Sequence, residues 1–322
     1  MPTTHKPRFG SLQFWPRKRA DKILPRVNWK PLEQGEGKGL LGFIGYKVGM
    51  YSAIVKDNTP DSLTKGKQII FPVTIVECPP MKVFSIRFYK NNLVSKDIIA
   101  PEIEKEKELK RKLYLPKKAV SNISDIKLND YDNIRLIVFS LVKTTGIKKT
   151  PDIAEIGLKG TIEEKFEIAK SLLGKEIKVE DIVEKSNNTL DIHSVTIGKG
   201  FQGPVKRFGI SLKQHKTEKG TRRPGSLGPW VPKKVMFRAP MAGQLGFFTR
   251  VQYNNKIIEL NNIAKKDINP KSGFMNYGIV KNSYLIMKGS IGGPVKRVLM
   301  ITKSLRPRKR REKENFELLK LE

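Results

Sequence analysis

Residues 198–250 read GKGFQGPVKRFGISLKQHKTEKGTRRPGSLGPWVPKKVMFRAPMAGQLGFFTR. Twelve Lys/Arg stand here against one acid, Glu218, and nine glycines and five prolines punctuate the stretch. Proline removes a ladder donor and glycine weakens regular structure, so neither a long helix nor a central strand is expected to persist. Fixing roughly fifty backbone residues costs on the order of 50–100 kcal/mol, at about 1–2 kcal/mol each. Six aromatics and scattered aliphatics do not offset that. The stretch is therefore expected to be ordered by something outside the chain, and its charge makes that partner a polyanion. A solvated charged loop is the competing reading, but it leaves Phe201, Phe208, Trp230, Phe237, Phe247 and Phe248 unexplained. Cations, rings and glycines interleaved in this way suit folded RNA. Phosphates take the charges, bases stack on rings at about 1–3 kcal/mol each, and glycine admits close approach of a backbone.

Outward from this stretch the charge is uneven. The chain has 322 residues and a formal net charge of +32. Between Asp97 and Asp191, eighteen acids meet eighteen Lys/Arg; the remainder holds 45 basic residues and 13 acids. The whole excess thus sits on the flanks, and the middle reads as an ordinary charge-balanced module inserted into a basic protein. A field of this size binds nucleic acid. The length supports a real core and two domains.

Texture divides the chain further. Residues 1–40 form an extended basic arm with nine Lys/Arg, three acids and five prolines. Residues 41–96 read as the first part of a β-barrel. Within it, Ile69–Glu77 and Lys82–Lys90 are strand-like runs, joined by a tight turn at Cys78-Pro79-Pro80-Met81. Residues 97–188 form the α+β insertion. Its first helix is expected over Glu102–Leu113, from Glu106/Lys110 and Glu108/Lys112 at i, i+4. Its second follows the capping box Thr161-Ile162-Glu163-Glu164 and stops at Gly174. Ile134–Val142 is a buried strand candidate. Residues 189–197 return to the barrel, 198–242 are the basic central extension, and 243–305 complete the barrel. A hairpin is expected at Tyr253-Asn254-Asn255, and the last strands within Asn276–Lys288 and Val295–Lys303. Residues 306–322 are a basic tail ending in a short helix. The extension leaves and re-enters the barrel, so its farthest point should lie between Lys216 and Lys234, around Trp230.

Several chemistries are excluded or disfavoured. Cys78 is alone, so no intramolecular disulfide forms. His5, His193 and His215 lack metal spacing. No run approaches 18 apolar residues, and no secretory signal opens the chain, so an intracellular protein without membrane spans is expected. Gly198-Lys199-Gly200-Phe201-Gln202-Gly203 matches G-x-G-x-x-G after a strand. Pro204 and Gly209 leave no following helix of useful length, and no βαβ unit surrounds it. No histidine lies near a nucleophile in the sequence, so no catalytic residues, metal or cofactor are assigned and no enzyme activity is expected. An RNA-modifying enzyme and a DNA-compacting protein remain as other readings. The former requires a cofactor pocket, the latter indifference to RNA fold. Trp230 has Gly228, Pro229, Pro232, Lys233 and Lys234 for company, which favours stacking on RNA over a core position.

A family resemblance rests on motifs along nearly the whole chain. They are Gly10-Ser11-Leu12 with Pro16-Arg17-Lys18-Arg19-Ala20, Gly45-Tyr46-Lys47-Val48-Gly49-Met50, and Glu77-Cys78-Pro79-Pro80-Met81-Lys82-Val83. Next come Gly198 to Gly203 with Lys206-Arg207, then Gly243-Gln244, and Gly289-Ser290 through Gly293-Pro294-Val295-Lys296-Arg297. In these the chain resembles the universal large-subunit ribosomal protein three family, in its archaeal form. The resemblance implies a mainly β fold: a translation-protein-type β-barrel with an α+β insertion and long basic extensions. It implies a structural constituent of the large ribosomal subunit, cytoplasmic, that binds large-subunit rRNA near its 3′ domain and acts early in assembly. The central extension then reaches towards the peptidyl transferase centre with Trp230 near its tip, and the N-terminal arm lies close to it. Partners are the rRNA and neighbouring large-subunit ribosomal proteins, with no membrane and no homo-oligomer. Eukaryotic relatives carry histidines where this chain has Glu218 and, after the tip tryptophan, Val231, Lys233 and Lys234. Nothing that depends on those histidines carries over.

Composition and resemblance together nominate the RNA contacts. In the arm they are Arg8, Trp15, Arg17, Lys18 and Arg19. In the extension and its return they are Lys199, Phe201, Gln202, Lys206, Arg207, Lys213, His215, Lys216, Lys219, Arg222, Arg223, Trp230, Lys233, Lys234, Arg238, Gln244 and Arg250. Lys296 and Arg297 follow near the last strand, and Arg306, Arg308, Lys309 and Arg310 in the tail.

Overall fold

The computed structural model describes residues 8–34, 37–101, 103, 106–115, 126, 128–183, 189–231 and 233–321. In chain order the elements are α1 (Lys30–Glu33), β1 (Gly39–Leu40), β2 (Gly42–Asp57), β3 (Gln68–Cys78), β4 (Met81–Lys90), β5 (Leu93–Ile99) and β6 (Asn133–Ser140). Then come β7 (Ile153–Lys159), α2 (Ile162–Leu172), β8 (Glu176–Ile177), β9 (Thr189–Val195), β10 (Gly198–Gln202), α3 (Pro204–Phe208) and β11 (Gly243–Gly246). The chain closes with β12 (Thr249–Asn262), β13 (Ser283–Lys288), β14 (Val298–Lys303), α4 (Lys309–Lys313) and β15 (Phe316–Leu321). Two compact units result. Unit one is Met1–Lys22 with Val195–Thr249; unit two is Ile23–Ser194 with Arg250–Glu322.

Unit two is mainly β. One sheet runs β14-β9-β12-β13-β3-β2-β15, and β14 also pairs with β2, which closes a ring of six strands with β15 outside it. The sixteen-residue β2 makes the closure possible. Its first half pairs β14, from Gly42 opposite Thr302 to Tyr46 opposite Val298. Its second half pairs β3, from Tyr46 opposite Glu77 to Lys56 opposite Gln68. Val48, Val55, Val73, Ile75, Tyr284 and Ile286 form one core cluster. A second sheet runs β1-β7-β6-β4-β5, with β8 on β4. The largest core draws on both sheets, with Phe43, Ile44 and Val76 in the same cluster as Val83, Ile86 and Phe88. That packing explains why β2 is buried continuously from Gly42 to Gly49 instead of alternating, as strands covered on both faces do. Polar bridges register the sheets: the Tyr46 hydroxyl donates to Asp152 at 2.6 Å and bonds Ser140 at 2.7 Å.

Four local expectations are corrected. The Cys78–Met81 segment does not join two strands of the barrel: β3 belongs to the ring and β4 to the second sheet, so the prolines carry the chain from one sheet to the other. Residues 81–96 therefore sit with the strands of the insertion. Among the described residues the helix expected over Glu102–Leu113 is replaced by 3-10 conformation at Ile103 and a 3-10 turn at Leu109–Arg111; Glu102, Glu104 and Lys105 lie outside the described residues. The charges read as helix partners bond elsewhere, Glu106 to Lys82 at 2.7 Å and Glu108 to Lys143 at 2.9 Å. No hairpin interrupts Tyr253-Asn254-Asn255, because β12 runs through it. Asn254 takes φ +57°, and its amide N–H donates to Asp191 at 2.7 Å while the Asn255 side chain donates to the Leu190 carbonyl at 3.2 Å. These side bonds satisfy a kink that the sequence reads as a turn. Finally, the tail ends in a strand, β15, paired with β2 from Phe316 opposite Asp57.

Candidate nucleic-acid interface

Unit one is built on little regular structure. β10 and β11 pair antiparallel, with Gly198 opposite Gly246 and Gln202 opposite Gly243. Gly246 takes φ +70°, and a Cβ there would lie 2.1 Å from the Ile197 carbonyl oxygen, so only glycine fits. Pro204 opens α3, where its missing N–H is harmless. Gly209 closes it in the left-handed conformation, its N–H donating to the Val205 carbonyl at 2.8 Å. The glycine motif is therefore a strand followed by a five-residue helix.

The N-terminal arm packs on this base. Phe9, Phe208 and Ile210 are buried together, with Trp15 and Val205 against them. The Trp15 and Phe208 rings stack with centres 6.1 Å apart. The Arg17 guanidinium lies 4.2 Å from the Phe208 centre and 5.3 Å from that of Trp15, a cation–π arrangement. It also donates to the Arg207 carbonyl at 2.8 Å. Gly10 takes φ +79°, and a Cβ there would stand 2.5 Å from the Phe208 ring. Arg8 donates to the Arg238 carbonyl at 2.6 Å. Arg19 lies 5.1 Å from the Phe247 ring, and the Ala20 N–H donates to the Phe247 carbonyl at 2.8 Å. Arg207 fastens the two limbs of the extension, donating to the Gln244 and Met241 carbonyls at 2.9 Å each; burial lowers its pKa from the ordinary value. The base of the extension is thus ordered by the chain's own arm, and Arg8, Arg17 and Arg207 act as internal fasteners.

Beyond the base the picture reverses. From Ser211 to Arg238 no described residue is buried. The Lys213 N–H donates to the Thr221 carbonyl at 3.0 Å, closing a loop on which His215, Lys216 and Lys219 are exposed. Arg222, Arg223, Lys234 and Arg238 are exposed as well. Further along the limb, the Lys233 N–H donates to the Trp230 carbonyl at 2.7 Å, with Lys233 at φ +59°. Trp230 is 82% exposed and edges a groove of about 440 Å³ with Pro229, Lys233 and Lys234. Phe201 and Phe237 are 78% and 71% exposed, whereas Phe208 is buried and Phe247 and Phe248 are half-buried. Lys18, Lys199 and Lys206 are exposed. The Gln202 and Gln244 side chains donate to backbone carbonyls of Lys199 and Gly246, at 2.7 and 3.0 Å. Unit one therefore presents Trp230 and Phe201 as open rings among cations, while Phe237 meets the Trp15 ring edge-on at 5.4 Å.

The remaining candidates lie in unit two. Arg250 is half-buried, and burial lowers its pKa. Lys296 is exposed and Arg297 half-buried on the β13–β14 connection. That connection hangs on Lys47, a residue sequence reading passed over. Its buried ammonium donates to the Ile291 and Gly293 carbonyls at 2.5 and 3.0 Å, and burial lowers its pKa. A lone cation inside the apolar run 41–50 was the available signal. Arg306, Arg308, Lys309 and Arg310 are all exposed. Their segment is anchored by the buried Asp191, which accepts from the Leu305 N–H at 3.0 Å and the Ser304 hydroxyl at 3.1 Å. Among the described residues no group of three His, Cys, Asp or Glu is placed to hold a metal, and no helix is long and apolar enough to cross a membrane.

The family described as Ribosomal protein L3 has a model that matches residues 1–321. The large ribosomal subunit protein uL3 of Methanosphaera stadtmanae is 40% identical over 316 residues, covering 94% of this chain and 92% of that protein. That of Methanocaldococcus jannaschii is 38% identical, covering 94% and 92%. That of Archaeoglobus fulgidus is 39% identical, covering 95% and 93%.

Proposed function

The chain belongs to the Ribosomal protein L3 family, and from that premise we propose that unit one is an rRNA-binding arm whose outer limb is moulded by the RNA. Membership makes the protein a structural constituent of the large ribosomal subunit, part of the cytoplasmic ribosome and not an enzyme. The finer reading is that it binds large-subunit rRNA near the 3′ domain, supports early assembly and reaches towards the peptidyl transferase centre. One observation supports the RNA-binding part of it, the 3′ domain, assembly and peptidyl transferase parts following from the family resemblance: no described residue of the limb from Ser211 to Arg238 is buried, yet Trp230 stands 82% exposed among lysines. A limb built for a protein core would hide that ring. A limb built for RNA offers it for stacking, and offers the lysines to phosphates. The base, clasped by Phe9, Trp15 and Arg17, fixes where the limb starts and so lowers the ordering entropy left for the RNA to offset.

Deleting residues 211–238 and bridging the ends with a short glycine linker tests this. The truncated protein should still bind large-subunit rRNA, but with a flatter dependence of log K on log salt. The slope should drop by roughly 0.9 per lost duplex phosphate contact and about 0.7 per single-strand contact. An unchanged slope would mean that the limb is not the main RNA arm.

A further inference from the structure

A second cationic surface lies in unit two, around Lys309 and Arg310 of the tail. A groove of about 580 Å³ runs between α4, the start of β15 and the β2–β3 connection. Lys309, Arg310 and Lys313 line it from α4, at i, i+1 and i+4 on one face of the turn. The other face is tied down, since Arg311 donates to the Asn254 carbonyl at 2.7 Å and Lys256 to the Glu312 carbonyl at 3.3 Å. The following residues are fixed as well. The Asn58 N–H donates to the Asn315 carbonyl at 2.9 Å, and the Asn315 N–H to the Thr59 hydroxyl at 3.0 Å.

The charges are unequally satisfied. Lys309, Arg310 and Lys313 are exposed, and none of them is in an ion pair among the described residues. Like charges at i, i+4 destabilise a helix on their own, so the fold holds this cluster together against repulsion. Of the three acids on the walls, Asp61 is exposed at the rim, and the other two are engaged elsewhere. Glu314 pairs with Lys288 at 3.0 Å, and Lys288 also lies 4.3 Å from the Phe316 ring centre. Asp57 accepts from the Thr59 N–H at 2.9 Å, the Ser62 hydroxyl at 2.8 Å and the Thr64 hydroxyl at 2.5 Å. Burial alone would raise its pKa, but these bonds outweigh burial and hold the carboxyl well below the usual range. Asp57 therefore shapes the wall as a satisfied anion, and the cations are left facing the opening. Ile69 and Phe316 add an apolar wall. The volume falls within the range of sites for small ligands, about 300–1,000 Å³, and is too small for a duplex.

We propose that this groove is a second RNA site, one that takes a single unpaired nucleotide, its phosphate held by Lys309, Arg310 and Lys313. The proposal rests on the ribosomal reading. It adds a contact independent of unit one, so that the protein grips the RNA at two places. Single-stranded, splayed nucleotides are what proteins read in RNA, and three converging cations held in place by the fold suit a phosphodiester.

The test is base-reactive chemical probing of large-subunit rRNA bound to the full chain, comparing wild type with K309Q/R310Q/K313Q. The expected result is that a short single-stranded segment protected by the wild type becomes reactive, while the protections due to unit one persist. The salt slope should flatten by about two, from three contacts at about 0.7 each. A control, K90Q/K149Q/K170Q, alters exposed lysines outside the groove and should change neither readout. If the triple variant melts early, Lys313→Gln alone serves, with an expected drop of about 0.7. Unchanged reactivity with an unchanged slope overturns the site and leaves the groove to an acidic protein partner. Reactivity gained only at paired nucleotides overturns the unpaired occupant. A wild-type protein that protects nothing overturns the ribosomal reading itself, which is a separate result.

Discussion

Replacing Glu77 by alanine is expected to destabilise unit two by about 3–5 kcal/mol, the largest effect of any single polar substitution in it. Glu77 is fully buried on β3, opposite both Tyr46 and Tyr284. Its carboxylate collects four donors from the β12–β13 connection. Tyr277 donates through its hydroxyl, Lys281 and Asn282 donate backbone N–H groups at 3.0 Å each, and the Asn282 side chain donates at 2.7 Å. Burial and the neighbouring Glu77 charge push the Tyr277 hydroxyl well above the ordinary phenol range, so it stays a donor. Truncation would strand these donors in the core, at about 1–3 kcal/mol for each that water fails to reach. Thermal unfolding of the isolated protein should shift down on the order of 10 °C. Glu77→Gln keeps the shape and an acceptor, so it should cost about 1–2 kcal/mol. A shift under 1 °C for the alanine variant would show that the connection does not depend on the carboxylate.

Phe208→Ala is expected to release the N-terminal arm. Phe208 is 6% exposed and meets Phe9, Ile210, Trp15 and the Arg17 guanidinium. Removing a buried Phe costs about 3–5 kcal/mol in a full core, and this cluster has three buried members, so little would hold the arm afterwards. Residues 8–19 should become rapidly hydrogen-exchanging and protease-sensitive, while the melting of unit two moves by less than 1 °C. Retained protection of 8–19 would show that Arg8 and the backbone bonds suffice to hold the arm.

These two sites mark how far the sequence could be read. The strands of unit two were visible because β-branched and aromatic runs such as Ile69–Glu77 carry their own signal, and Thr161–Glu164 announced a helix through a reciprocal cap that the structure contains, Glu164 accepting from the Thr161 N–H at 3.0 Å. Partners distant in the chain were not visible. Glu106 and Glu108 looked like helix charges because nothing local shows that Lys82 and Lys143 lie beside them. The open, unburied limb of the basic stretch was legible from its charge, glycines and prolines, but its base was not. The residues that order it, Phe9, Trp15 and Arg17, lie some 190 positions earlier in the chain, as the Arg17–Arg207 bond illustrates. Lys47 was missed for the same reason, since its carbonyl partners are 244 and 246 residues away.

The most direct measurement is ultraviolet crosslinking in cells, followed by sequencing of the attached nucleic acid and identification of the crosslinked peptides. The expected result is crosslinks confined to a few sites in large-subunit rRNA, with peptides containing Trp230 and Lys233 joined to nucleotides of the peptidyl transferase centre. Crosslinks scattered over many RNAs, or found mainly on DNA, would contradict it.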